Sequence, residues 1–187
     1  MATTADFRNG FTFQDGDNLF SIVEFLHVKP GKGGAFVRTK LRNVKTKAII
    51  ERTFRAGEKV DEVRLERRPY DFLYRDGDFY FFMCSETYNQ IQLAKEMLGD
   101  ASNFLIDNCP VEILFHGEIP IELALPKFVE IEITHTEPGF KGNTAQNKTK
   151  PATLVTGQVI NVPLFIDIGN IVKIDTDTGE YIERVTK

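Results

Sequence analysis

The chain has 187 residues, 42% apolar and 11% aromatic, with no Trp and two Cys, and 23 Lys plus Arg against 27 Asp plus Glu for a net charge of -4. That apolar share is too high for disorder, two cysteines make no disulfide framework, and no apolar run approaches the ~20 residues a membrane-spanning helix needs. At roughly 100 to 200 residues per domain, length alone predicts one or two domains.

Met1 to Gly10 shows no basic stretch leading into an apolar one, so a secretory signal is not expected and the chain is placed in the cytoplasm with no membrane partner. Phe11 to Gln14 and Leu19 to Val28 flank Asp15-Gly16-Asp17-Asn18, a hairpin signal. Phe36 to Val44 and Ala48 to Phe54 flank a short basic turn and predict a second hairpin. Within Phe36 to Arg42 the side chains alternate, placing Val37, Thr39 and Leu41 on a packing face and Arg38, Lys40 and Arg42 on the other. Phe72 to Tyr74 and Phe79 to Met83 meet at Arg75-Asp76-Gly77-Asp78, another hairpin signal. Ile91, Leu93, Ala94, Met97 and Leu98 recur at near-helical spacing, so helix is expected over Tyr88 to Leu98, ended by Gly99, and again over Ala101 to Asn108. Val111 to Phe115 and Ile119 to Leu123 predict a hairpin around His116-Gly117-Glu118, and Pro126 marks a joint.

Beyond that joint, Val129, Ile131 and Ile133 alternate with Glu130, Glu132 and Thr134 as in a half-buried strand. A loop free of carboxylates is expected from Pro138 to Lys150, then strands near Leu154 to Val162 and Leu164 to Lys173, and a last hairpin across Asp175 to Gly179. Three blocks of short strands and hairpin turns, each of roughly 60 residues, predict three small β-barrels that dock on one another, being individually marginal.

The modest net charge conceals a division along the chain. Residues 1 to 70 carry 14 basic and 9 acidic side chains, 71 to 137 carry 3 and 13, and 138 to 187 carry 6 and 5. Phe25 to Ile50 holds Lys29, Lys32, Arg38, Lys40, Arg42, Lys45 and Lys47 and no carboxylate, the pattern of a polyanion-binding element.

Several tempting motifs fail. Gly31-Lys32-Gly33-Gly34 lacks the Ser or Thr after Lys and the Gly at position 26 that a phosphate loop requires. Asp175 to Glu180 resembles the start of a calcium loop, yet Gly179 stands where a ligand belongs. Asn147-Lys148-Thr149 is a formal glycosylation site that meets no enzyme without secretion. His27, His116 and His135 have no paired spacing, so neither a metal site nor a catalytic dyad is indicated, and Cys84 and Cys109 read as buried small hydrophobes. What survives is Lys29-Pro30-Gly31-Lys32-Gly33-Gly34. Pro and Gly favour a tight turn, and they leave Lys32 at an apex with neither a bulky neighbour nor a local carboxylate. Such a Lys is either a solvated turn residue or a probe. The cations on the stem behind it, Arg38, Lys40 and Arg42, suit insertion along a phosphate backbone.

Lys29 to Phe36, continued by Val37-Arg38-Thr39-Lys40-Leu41-Arg42-Asn43, resembles the tip loop of the bacterial translation elongation factor P family. Lys150-Pro151-Ala152-Thr153-Leu154-Val155-Thr156-Gly157-Gln158-Val159-Ile160-Asn161-Val162-Pro163-Leu164-Phe165-Ile166-Asp167-Ile168-Gly169 is similar to that family's C-terminal signature. The resemblance implies an all-β, L-shaped protein of three barrels: an SH3-like (KOW-like) domain at 1–63 and two OB-type domains at 64–127 and 128–187. It implies a non-enzymatic, monomeric factor without cofactor. Such a factor binds the 70S ribosome between the P and E sites, touches rRNA and the CCA end of peptidyl-tRNA, and stimulates peptide-bond formation at polyproline stalls.

By the same resemblance Lys32 is the position that a modifying enzyme extends in many members, and a β-lysyl group, an aminopentanol group and no modification are all compatible with this loop. Pro30, Gly31, Gly33 and Gly34 form the tip, Lys29, Arg38, Lys40 and Arg42 contact tRNA, and the loop Gly142, Asn143, Thr144 and Ala145 faces the exit-site codon. Tyr181 and Arg184 match positions implicated in RNA contact. Asn143 stands where Asp is usual, and Gln146 to Thr149 replace a more Gly-rich run, making the loop stiffer and more basic. A divergent ribosome-binding paralogue and a general single-stranded RNA-binding OB protein are the alternatives; the latter is expected to stack bases on exposed aromatics, whereas the Phe residues sit in core-like strand patterns.

Overall fold

The computed structural model describes residues 2–31, 33–138 and 149–185. These form an all-β fold of three antiparallel-rich sheets. The first sheet holds β1 (Ala2–Thr3), β2 (Thr12–Asp15), β3 (Asn18–Val28), β4 (Phe36–Asn43), β5 (Ile49–Arg55) and β6 (Lys59–Glu62), in the order β1-β6-β2-β3-β4-β5. The second is built from β7 (Leu65–Asp76), β8 (Phe79–Cys84), β9 (Gln90–Ala94), β10 (Pro110–His116) and β11 (Ile119–Ala124), ordered β11-β10-β7-β8-β9. The third combines β12 (Phe128–Thr136), β13 (Thr149–Leu154), β14 (Val159–Pro163), β15 (Ile171–Asp175) and β16 (Tyr181–Arg184), ordered β14-β13-β12-β15-β16. Its edge strands β14 and β16 touch, so this sheet curls toward a barrel. By compactness the chain divides into two units, Met1–Glu66 with Phe115–Ile121, and Arg67–Leu114 with Glu122–Lys187.

Each hairpin read from an Asp-Gly or basic turn is present in register: Asp15 pairs with Asn18, Arg42 with Ile49 and Asp76 with Phe79. Alternation places the cores. Phe7, Phe11, Phe13, Phe20, Ile22, Val37, Leu41 and Phe54 fill the first sheet's interior, and Val129, Ile131 and Ile133 of β12 are buried while Glu130, Glu132 and Thr134 face solvent. Before β2, Thr3 and Asp6 form a reciprocal cap. Hydrogen bonds from the Thr3 backbone N–H and hydroxyl hold the Asp6 carboxyl below its ordinary pKa. Cys84 and Cys109 are both buried and unpaired; burial pushes the Cys109 thiol up, and hydrogen bonding from Thr87 draws the Cys84 thiol down.

The expected helices are the main departure. Gln90–Ala94 is a strand, and the α-helix α1 spans only Lys95–Leu98, with Gly99 at φ 52 ending it by donating its N–H to the Lys95 carbonyl. Ile91, Leu93, Ala94, Met97 and Leu98 fit period 3.6, yet Ile91 and Leu93 also fit period two. The open edge of β8 decides between them, because pairing from Phe79–Ala94 to Met83–Gln90 satisfies its backbone groups. Met97, one of the residues that carried the near-helical spacing, is exposed. Over Ala101 to Asn108 a short 3-10 turn (Gly99–Asn103) replaces a helix, and the chain doubles back so that the Asn108 N–H donates to the Phe72 carbonyl.

In the last sheet the expected strand Leu154 to Val162 is broken by a turn with Gly157 at φ 89, giving two paired strands. Leu164 to Asn170 turns instead of extending. Most of the expected loop Pro138 to Lys150 lies outside the described residues, while Thr149 and Lys150 begin β13.

Phe13 is 1% exposed, with ring centroids of Phe7, Phe11, Phe20 and Phe54 at 5.8–6.4 Å. Phe13→Ala is expected to cost about 3–5 kcal/mol of the first unit's stability, read as a lowered urea midpoint by circular dichroism. A shift under about 1 kcal/mol would contradict this packing.

Candidate nucleic-acid interface

Strands β3 and β4 form a long antiparallel arm, paired from Phe20–Asn43 to Val28–Phe36, and β5 runs beside β4 as far as the Phe36–Arg55 pair. At the arm's end Lys29, Pro30, Gly31, Gly33 and Gly34 are all exposed. A Cβ added at Gly31 or Gly34 would meet nothing within 4 Å, so the tip is slim. Gly33 has φ 114, a backbone region that an L side chain strains to enter. Lys32 and the loop residues Gly142, Asn143, Thr144 and Ala145 lie outside the described residues.

Cα partners on neighbouring strands share a face, so the outer surface of the arm can be read row by row. Arg38 lies between Leu26 and Thr53, Lys40 between Glu24 and Glu51, and Arg42 between Ser21 and Ile49. Val37, Thr39 and Leu41 are buried on the other face, where the Thr39 hydroxyl donates to the Arg52 carbonyl at 2.8 Å.

The three predicted stem cations are therefore not equivalent. Lys40 Nζ is 3.5 Å from Glu24 Oε2, whereas Arg38 and Arg42 are exposed and have no ion-pair partner among the described residues. The hollow over this row, about 230 Å³, is lined by Glu24 and Glu51 as well as Arg38 and Lys40, so it is no anion pocket. An extra cation was missed in the sequence: Arg55, opposite Phe36 at the root of the tip, is exposed on the same face. Its signal was available only through strand register. Arg52 is spent otherwise, paired with Asp15 and laid over Phe54.

In the second unit Tyr181 is half-buried and Arg184 exposed, both on edge strand β16. The Arg184 guanidinium lies 5.8 Å from the centroid of Phe165, an exposed ring also missed from sequence. Neighbouring carboxylates are matched by their own lysines. Lys173 pairs with Glu183 at 3.0 Å, and Lys150, 6% exposed, reaches Asp167 at 3.8 Å and donates to the Glu137 carbonyl at 2.7 Å. Among the described residues no group of three or more metal-ligating side chains converges, and no helix is long and apolar enough to cross a membrane. At Arg38, Arg42 and Arg55 the arm offers a polyanion positive charge that no described carboxylate pairs with, beside a slim tip.

Comparison with known proteins covers nearly the whole chain. Residues 3–60 match the family model described as "Elongation factor P (EF-P) KOW-like domain", 65–123 "Elongation factor P (EF-P) OB domain", and 129–184 "Elongation factor P, C-terminal". Elongation factor P of Moorella thermoacetica is 54% identical over 184 residues, covering 98% of this chain and all of that protein. The Caldicellulosiruptor bescii protein of the same name is 51% identical over 185 residues, covering 99% of this chain and all of that protein. Among solved structures, eukaryotic translation initiation factor 5A from Methanococcus jannaschii superposes with a TM-score of 0.50 at 21% identity, over 67% of this chain and 90% of that one, which indicates a shared fold.

Glu24 is the carboxylate that mutes the middle of the arm. Glu24→Gln is expected to strengthen RNA binding at low salt and to steepen the slope of log affinity against log salt by up to about 0.9, as one more cation becomes available to phosphate. Filter binding across a potassium chloride series checks this, and an unchanged slope would mean that Lys40 never meets the RNA.

Proposed function

Because the chain belongs to the elongation factor P family and is a translation elongation factor, we propose that it binds the ribosome between the P and E sites and positions peptidyl-tRNA at polyproline stalls. The observation that carries this reading is the arm of β3 and β4, a slim Gly-rich tip on a stem whose Arg38, Arg42 and Arg55 are uncompensated. Lys32 at the apex extends toward the CCA end. Lys29, Arg38 and Arg42 hold the tRNA backbone with help from Lys40, and Pro30, Gly31, Gly33 and Gly34 keep the approach narrow. Gly142, Asn143, Thr144 and Ala145 face the exit-site codon, while Tyr181 and Arg184 meet RNA from the C-terminal barrel. A modifying enzyme of the host extends Lys32, and the factor acts as a cytoplasmic monomer without cofactor.

We read the barrels as 1–63, 64–127 and 128–187, a division supported by the three sheets each lying within one segment.

The chemistry asked of the protein is positional. Proline is a rigid secondary amine, and a stalled donor and acceptor sample many unproductive geometries. Fixing the tRNA end near its reactive geometry removes part of the entropic barrier while ribosomal RNA performs the transfer, and each tenfold in rate needs only ~1.4 kcal/mol. No group on the chain need accept or donate a proton.

Lys32→Ala is expected to leave the far-UV spectrum unchanged but to abolish stimulation of a Pro-Pro-Pro reporter in a factor-dependent translation assay; full reporter yield would remove the role given to Lys32. Arg38→Glu with Arg42→Glu should weaken ribosome binding and flatten its salt slope by about 0.7–0.9 per lost phosphate contact, measured by sedimentation at several salt concentrations. Equal slopes would relocate the interface.

A further inference from the structure

We propose that the outer face of β7, β8 and β9 is a docking surface for an arginine-bearing segment of a protein partner. The strand register fixes that face in three rows: Asp71, Met83 and Gln90; Tyr74, Phe81 and Gln92; Asp76, Phe79 and Ala94. The intervening residues Tyr80, Phe82 and Leu93 point inward and are buried. Tyr74 stacks on Phe81 with ring centroids 4.7 Å apart and planes 16° from parallel, yet Tyr74 is 51% exposed and Phe79 47%. An isolated exposed aromatic needs no explanation, but a stacked pair flanked by Met83 and Phe79 makes a contiguous apolar band.

Charge chooses the occupant. No Lys or Arg stands in these rows, and Asp71 and Asp76 flank the band on the β7 side, within a segment carrying 13 acidic and 3 basic residues from 71 to 137. The Ser85 hydroxyl fixes Asp71 by donating to its Oδ2 at 2.9 Å, and Arg75, next to Asp76 in sequence, donates to the Gly77 carbonyl and lies over Tyr80. An aromatic plane beside fixed carboxylates suits a guanidinium, which stacks on the ring and forks onto the carboxylate at once. RNA would bring phosphates against the aspartates. A second copy related by a two-fold axis would set this carboxylate-bearing, cation-free face against itself. The surface is independent of the roles assigned to Lys32 and the arm, so either reading can fail alone.

The test uses the full chain, whose sequence contains no Trp, so that Tyr74→Trp provides a sole indole reporter. The probes are an end-capped peptide of alternating Arg and Gly, its Lys counterpart, and a single-stranded uridine oligonucleotide. The Arg peptide is expected to change the indole emission saturably, the Lys peptide to bind about tenfold more weakly, and the oligonucleotide to leave the emission unchanged. Asp71→Asn with Asp76→Asn should weaken the Arg peptide at least about tenfold, whereas Glu130→Gln with Glu132→Gln, a control for general acidity, should not. Calorimetry on the unsubstituted protein and on Phe79→Ser repeats the measurement without the reporter. No saturable response to the Arg peptide, an equal response to the oligonucleotide, equal losses in the control variant, or sedimentation showing that this face pairs two copies would each overturn the proposal.

Discussion

The pairing of β3 with β4 is the constraint on which the rest of the first unit depends. One strand, Phe36–Asn43, supplies the core and the candidate interface together, because alternation sends Val37, Thr39 and Leu41 into a Phe-rich interior and Arg38, Lys40 and Arg42 outward. The energy that holds the cations in place is therefore the burial of their immediate neighbours. A hairpin standing alone would be marginal, whereas here β2 pairs with the base of β3 from Asn18 to Ser21, and β5 pairs with β4 up to Phe36 at the root of the tip.

Charge on this chain acts by position more than by sum. The total of -4 argues weakly against a polyanionic partner, yet Arg38, Arg42 and Arg55 stand on one face with no ion-pair partner among the described residues. Near Arg184 the same outcome is reached by internal matching, with Lys173 taking Glu183 and Lys150 taking Asp167. Pairs nearer the solvent, such as Lys173–Glu183, add little stability. Their consequence lies in which cations they leave available, since a phosphate is attracted most where no carboxylate competes.

Local signals were legible in the sequence and tertiary ones were not. The Asp-Gly and basic turns, the alternation in Phe36–Asn43 and Phe128–Thr136, and the two buried cysteines could all be read, because each depends on residues adjacent in the chain. Gln90–Ala94 could not, since its apolar spacing fits two periods and only the open edge of β8 selects one. The outward Phe79 and Phe81 were hidden for a related reason: Phe79–Cys84 is apolar at every position, so the two faces differ by what packs on them and not by residue type. Arg55 and Phe165 became visible as neighbours of the candidate sites only through register and barrel curvature.

One further determinant left no mark in the sequence. The β3–β4 ladder pairs Ile22 with Leu41 and then Glu24 with Lys40, so Val23 is an extra residue bulged out of β3. Without that bulge Val23 would face Lys40, Glu24 would fall opposite Thr39 on the buried side, and Phe25 would move outward beside Arg38. A carboxylate would then enter the core and Phe25, now packed against it, would leave. The bulge prevents both and also sets the order of the outer rows: a neutralised cation in the middle of the arm, and next to the tip an Arg38 whose cross-strand partners are the uncharged Leu26 and Thr53. Which of three chemically similar cations is free to meet a phosphate is thus decided by a single inserted backbone unit on the strand next to the one that carries them.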